Sequence, residues 1–116
     1  MPHFIIDCSA NILAKVKEQQ ILTTVFDATR SSGLFEEADI KVRVNPYVRY
    51  EVGGKPTDFI HVFSYILEGR NDKEKSDLSQ LIVRSLVNLF PGVEFVASSI
   101  DEFTKVGYCN RHLLTH

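Results

Sequence analysis

Asp58-Phe59-Ile60-His61-Val62-Phe63-Ser64-Tyr65-Ile66-Leu67-Glu68-Gly69-Arg70-Asn71-Asp72-Lys73-Glu74 decides the fold. From Asp58 to Leu67 it reads as a strand. Ile60, Val62, Ser64 and Ile66 share one face, and Phe59, His61, Phe63, Tyr65 and Leu67 share the other. Both faces are largely apolar, which predicts a central strand buried on both sides. Glu68-Gly69-Arg70 makes a tight exit. Asn71 then offers a side-chain oxygen to the first free N–H groups of a helix, and Glu74 is its capping-box partner. Asp72 and Glu74 place negative charge at the positive end of the helix dipole. Leu78, Leu81, Ile82, Leu86, Leu89 and Phe90 form one apolar stripe, and Pro91-Gly92 ends the helix.

The same order of elements stands at the start of the chain. Pro2-His3-Phe4-Ile5 aligns with Ile60-His61-Val62-Phe63 at an offset of 58 residues, His3 falling on His61. His3 to Cys8 is the equivalent strand, and Ser9-Ala10-Asn11 breaks it. Ile12 to Gln20 is a short helical turn or an irregular lead-in. Ile21, Leu22, Val25 and Phe26 then form a helical stripe. Ser31-Ser32-Gly33 ends that helix, with Gly33 as a left-handed cap. Asp39 to Asn45 alternates as a second strand, and Val93 to Ala97 reads as a fourth. Val48 to Val52 is expected as an edge strand of a hairpin turning at Gly53-Gly54. Ile100 to Phe103 is expected as one helical turn, and Thr104 to His116 has no strong periodicity.

Two βαβ units follow, over residues 2–45 and 60–103, within one domain of residues 1–116. The fold class is α/β (α+β), a four-stranded mixed sheet. Right-handed crossovers put both helices on one face of it. The uncovered face then carries Ile5, His61, Phe63 and Tyr65, an apolar surface that calls for another subunit. The repeats are unequal. Ile12 stands where the second unit has Arg70, and Ile60 stands where the first has Pro2, so one site can be built from complementary halves.

Composition narrows the classes of function. A net charge of −2 gives no overall basic field for nucleic acid. No apolar run approaches a membrane span, and the first residues lack the basic and apolar regions of a signal peptide. Cys8 and Cys109 form no CxxC pattern, which fits two free thiols in the cytoplasm. No Cys/His cluster has zinc-ligand spacing, so no metal is expected.

Pro2 is the first candidate for chemistry. If Met1 is removed, its nitrogen becomes a strand-anchored secondary amine. Desolvation and nearby cations lower the basicity of such an amine, and it can then shuttle protons near neutral pH. Lys41 and Arg43 alternate with Ile40, Val42 and Val44, so two cations project from one face about 7 Å apart along the strand. That pattern fits a solvated face as well as a ligand site. Arg70 is either a ligand contact or a structural residue of the helix start. His3 and His61 match across the repeat, which favours a structural or interface role. His112 and His116 lie in the polar tail.

Ile66 to Lys75 closely resembles the strand exit and helix start of the 4-oxalocrotonate tautomerases. Pro2-His3-Phe4-Ile5-Ile6, Gly33-Leu34-Phe35 and Lys41-Val42-Arg43-Val44 resemble 5-carboxymethyl-2-hydroxymuconate isomerase, a fused double-length member of the tautomerase superfamily. Macrophage migration inhibitory factor is similar in fold, but its Lys-Pro-Pro segment is replaced here by Gly33-Leu34-Phe35-Glu36-Glu37. The resemblance implies a homotrimeric, cofactor-independent isomerase of aromatic-compound catabolism. Its substrate would be a small carboxylate, a 2-hydroxymuconate-type dienol acid. The resemblance implies Pro2 as general base and Lys41, Arg43 and Arg70 as substrate-binding residues. The family commonly has arginine where Lys41 stands. Lysine keeps the charge but lacks the planar two-point contact with a carboxylate. Other activities of the superfamily, a non-catalytic trimeric binding protein and a ferredoxin-like interaction domain are the competing readings.

Overall fold

The computed structural model describes residues 1–114, so the expectation for His116 lies outside the described residues. Strand β1 (His3–Ser9) leads through a 3₁₀ turn (Ala10–Ala14) into helix α1 (Glu18–Ser31). A second 3₁₀ turn (Glu37–Asp39) precedes β2 (Lys41–Tyr47). The other half holds β3 (Phe59–Leu67), α2 (Asp72–Leu89) and β4 (Phe95–Phe103). Single 3₁₀ turns at Lys105–Gly107 and Arg111–Leu113 follow.

The sheet order is β2-β1-β3-β4. β1 pairs parallel with β2 and β3 parallel with β4, while β1 and β3 meet antiparallel in the middle. Two βαβ units are thus joined head to tail through their first strands. Phe4, Ile6, Ile60 and Val62 from the sheet are fully or almost fully buried against Ile21 and Val25 of α1 and Leu78, Ile82 and Leu86 of α2. Both helices therefore cover the same face. Burying an aliphatic side chain of this size contributes about 1.5–3 kcal/mol, so this single interlayer core dominates the stability.

Helix α2 starts as its sequence dictates. The Asn71 side chain accepts from Glu74 N–H at 2.8 Å, and the Glu74 carboxylate accepts from Asn71 N–H at 3.0 Å. Gly33 closes α1 with φ at +72°, a conformation that strains any side chain.

Several expectations need correction. β3 is buried on one face only. Phe59, His61, Phe63, Tyr65 and Leu67 are half-exposed, because no second layer of this chain covers them. Val48 to Val52 forms no strand. A bridge between Val52 and Lys55 closes the turn at Gly53 and Gly54, both at positive φ. The preceding residues serve instead as a strap, with Tyr50 against the Phe59 ring and its hydroxyl 3.3 Å from Asp58. Ile100 to Phe103 is the second half of β4, not a helical turn, because β3 continues to offer a ladder as far as the pair Leu67–Phe103. β4 starts at Phe95, not Val93. β2 is displaced by two residues and contains Pro46; it is an edge strand, where a missing N–H is tolerated.

Candidate active site

One end of the sheet gathers the start of β1, the exit from β3 and the chain following α1. A cavity of about 410 Å³ lies between them. Met1, Pro2, Gly33, Leu34, Phe35, Leu67 and Arg70 line it, together with the acidic residues Glu36 and Asp39. Pro2 is fully buried. Its carbonyl accepts from Lys41 N–H at 3.2 Å, which fixes the start of β1 beside the start of β2.

Arg70 is held by the chain on both sides of the cavity. One guanidinium nitrogen donates to Leu34 O at 2.7 Å and the other to Leu67 O at 3.3 Å. Its central carbon lies 4.9 Å from the centroid of the Phe35 ring. Phe35 in turn meets Phe4 edge to face at 5.8 Å. The turn at Gly33 makes this possible, since it sends Leu34 and Phe35 back toward the strand ends. A guanidinium carries five N–H donors, and these two bonds leave three for a ligand.

The terminal amine in this structure is that of Met1, which lines the same cavity as Pro2. Burial holds it below the ordinary α-amino value; the Lys41 side chain lowers it further by hydrogen bond and by charge, and Asp39 opposes them. Lys41 Nζ also donates to Asp39 O at 2.8 Å. A cation and an anion from one short segment thus act on the same amine with opposite sign.

Arg43 lies farther along β2 and donates to Nδ1 of His3 at 3.0 Å. Arginine has no acceptor, so Nδ1 of His3 must accept and the proton belongs on Nε2. His3 titrates below its ordinary value, through burial first and then the charges of Arg43, Lys41 and the terminal amine. His61 lies on the same open face, stacked on Phe63 at 4.2 Å, with Nε2 2.9 Å from Ser99 Oγ.

The four candidate residues are therefore distributed unevenly. Pro2 and Arg70 share the cavity, Lys41 adjoins it through the backbone of Pro2, and Arg43 is separated from it by His3. Glu36, Asp39 and Leu67 were not predicted to line the cavity. Leu34 and Phe35 were visible only as part of a resemblance, because their approach to Arg70 spans 36 residues of sequence in the case of Leu34. Among the described residues no group of three or more His, Cys, Asp or Glu side chains is placed to hold a metal. No described helix is long and apolar enough to cross a membrane.

Residues 2–97 match the family model of 5-carboxymethyl-2-hydroxymuconate isomerase. The chain belongs to the 5-carboxymethyl-2-hydroxymuconate isomerase family. Its class of activity is that of the family, an isomerase. Solved structures agree on the fold. A 5-carboxymethyl-2-hydroxymuconate isomerase from Deinococcus radiodurans R1 superposes with a TM-score of 0.81 at 18% identity, over 95% of this chain and 88% of that one. Pt0534 inactivated by 2-oxo-3-pentynoate gives 0.83 at 19% identity, over 94% and 91%. The F6 fused 4-OT wild type asymmetric trimer gives 0.81 at 10% identity, over 94% and 92%. Among curated proteins none matches the chain.

Proposed function

We propose that this isomerase converts a 2-hydroxymuconate-type dienol acid, 5-carboxymethyl-2-hydroxymuconate in the family's own terms, to its conjugated keto isomer. The base is the secondary amine of Pro2 once Met1 has been removed. No cofactor takes part. The observation that carries this reading is the meeting of Pro2 and Arg70, one from each half of the repeat, in a single cavity.

Proton movement alone accounts for the reaction. Neutral Pro2 takes the enol hydroxyl proton or a nearby carbon proton, and the protonated amine returns a proton to a distant carbon. The double bonds shift between, so mass and redox state are unchanged. A base must be neutral at working pH, and the burial of Pro2 beside Arg70, with Lys41 N–H bonded to its carbonyl, favours the neutral form of an amine at that position. Arg70 and Lys41 hold a carboxylate and stabilise charge building on the 2-oxygen, where cations fixed in advance are most effective. Arg43 takes the more distant carboxylate, farther along the open face of β2.

The active form in this reading is a homotrimer in the cytoplasm, serving the breakdown of aromatic compounds. The half-exposed apolar side chains of β3 and the trimeric fused 4-OT relatives support self-association.

The test combines intact mass with an ultraviolet assay on 2-hydroxymuconate. Mass is expected to show the chain without Met1, and the diene absorbance is expected to shift at constant substrate mass. Pro2→Ala is expected to fold and to lose most of the turnover. Wild-type turnover by that variant, or by a chain that retains Met1, refutes the amine as base.

A further inference from the structure

A larger cavity, about 590 Å³, opens at the opposite end of the sheet, on the face that the helices leave bare. Its walls include the rings of Tyr47, Phe59 and Phe95. Three carboxylates, Asp7, Glu51 and Glu94, also line it, and no lysine or arginine is among its lining residues. His61 is there too, already 2.9 Å from Ser99 Oγ. An aromatic wall beside unbalanced carboxylates favours a cation carried on an apolar stem.

The chain itself carries a segment of the complementary character. After β4, residues 104–114 contain Lys105 and Arg111 and no acidic side chain. Their apolar side chains are turned to solvent, with Val106 fully exposed, Leu113 58% exposed and Leu114 56% exposed. Yet the arm is shaped. Its root is tied by Glu68 N–H to Phe103 O at 2.9 Å and by Lys105 N–H to the Glu68 carboxylate at 2.6 Å. Its tip is capped by the Asn110 side chain, which accepts from Leu113 N–H at 3.1 Å. A segment held in shape while exposing its apolar side chains is pre-organised for a partner, and its docking loses little conformational freedom. The described chain is elongated, 51 Å by 27 Å by 26 Å, and its radius of gyration of 15.2 Å exceeds the about 13 Å of a compact chain this long.

Arm and cavity lie at opposite ends of β4. The cavity takes in Glu94 to Ala97, and the arm leaves after Phe103. A strand of nine residues separates them by about 25–30 Å, so the arm in its observed shape meets the cavity of another molecule. We propose that the arm of each copy docks in the aromatic, acidic cavity of the next, Lys105 or Arg111 facing the carboxylates and Leu113 and Leu114 covering the rings. Such a contact is heterologous, and it closes into a ring when the rotation between copies allows. The inference rests on the self-association proposed above and adds the surfaces that carry it.

The test is molar mass by light scattering on four proteins: the full chain, the chain ending at Phe103, Leu113→Asp/Leu114→Asp, and Glu51→Lys/Glu94→Lys. The two point-variant pairs change exposed positions, so each is expected to keep the wild-type circular dichroism even if the truncated chain does not fold. The full chain is expected at three times 13.2 kDa, and both pairs at 13.2 kDa. Glu94→Cys is expected to form intermolecular disulfides with the exposed Cys109 under mild oxidation, and to lose them when Cys109→Ser is added. A full chain at the mass of one copy overturns the self-association and the docking together. A full chain that is trimeric, with Leu113→Asp/Leu114→Asp equally trimeric, overturns the docking alone and leaves the cavity open to a free organic cation.

Discussion

Replacing Arg70 by alanine separates its structural work from its role toward substrate. The structural share can be estimated from its contacts. The 2.7 Å bond from its guanidinium to Leu34 O is charge-assisted, a class worth about 1.5–3 kcal/mol. The 3.3 Å bond to Leu67 O lies beyond the usual N–H···O range and adds little. The approach to Phe35 adds about 0.5–1 kcal/mol at a partly exposed position. Water can reach the freed Leu34 carbonyl in the variant, which favours the lower end of these ranges. A loss of about 2–3 kcal/mol is expected, and in a chain of this length that lowers Tm by roughly 8–12 °C.

The catalytic share is a separate quantity. If Arg70 also holds a substrate carboxylate, its removal costs about another 1.5–3 kcal/mol in the transition state, or about 10- to 150-fold in kcat/KM. The assay measures kcat/KM at a temperature well below Tm, on two dienol substrates that differ by the carboxylate assigned to Arg70. The loss is expected to be larger on the substrate that has this carboxylate than on the one that lacks it. Arg70→Lys is expected to recover part of the activity and little of the stability, since one ammonium cannot bridge Leu34 O and Leu67 O as the fork does. A lowered Tm with equal kcat/KM losses on both substrates refutes the carboxylate role, and a lowered Tm with no loss on either leaves Arg70 as a strut for residues 33–35.

The pH–rate profile tests the surroundings of the amine. Activity should rise with pH as the amine becomes neutral. Lys41 N–H bonds the Pro2 carbonyl and Asp39 lines the same cavity as Pro2, so by charge Lys41→Met should move this limb to higher pH and Asp39→Asn should move it to lower pH. Shifts of the same sign in the two variants contradict the assignment. The two thiols should differ sharply: a thiol reagent should modify exposed Cys109 at once and buried Cys8 only on unfolding. Burial, aided by Glu18 and Asp7, pushes the Cys8 thiol up to about 11 from an unfolded value of 9.0. Its contribution is intact below pH 9.0 and is lost as the pH rises through about 11, so denaturant melts should show about 2–3 kcal/mol of alkaline loss that Cys8→Ala abolishes. Asn71→Ala removes the side-chain oxygen that accepts from Glu74 N–H, while the backbone N–H of residue 71 keeps its bond to the Glu74 carboxylate, and should lower stability by about 1 kcal/mol, read as a Tm lower by roughly 4 °C.

What was legible in the sequence is what is decided locally. The alternation of Asp58 to Leu67 and the Asn71–Glu74 cap depend on neighbours two to four residues away, and both appear in the structure. Strand ends are decided by partners. Nothing near Ile100 announces that Leu67 will be waiting for Phe103 across the ladder, so a local reading predicts a helical turn there. The same limit hid the strap of residues 48–51. Its anchors are the hydrogen bonds of Tyr50 to Asn11 and Asp58, the first of them 39 residues away. For the cavity, Pro2 and Arg70 could be found because aligning the two units sets them against Ile60 and Ile12, whereas Glu36 and Asp39 reach it through a turn that no periodicity encodes.

The asymmetry of the repeat has an energetic side as well as a chemical one. The sheet places Pro2 and Arg70 at one end and their counterparts Ile60 and Ile12 at the other. Ile60 is 1% exposed and Ile12 3% exposed, and both belong to the main core. A chain with proline and arginine at both ends would have two cavities and a smaller core. Burying two isoleucines instead contributes about 3–6 kcal/mol, a large fraction of the net stability of a domain this size. The same substitutions leave the remaining cavity unsymmetrical, with an amine position from the first unit and a cation from the second. A conjugated acid that must lose a proton at one end and gain it at the other is itself unsymmetrical, and a site made of two unlike halves can hold its ends differently.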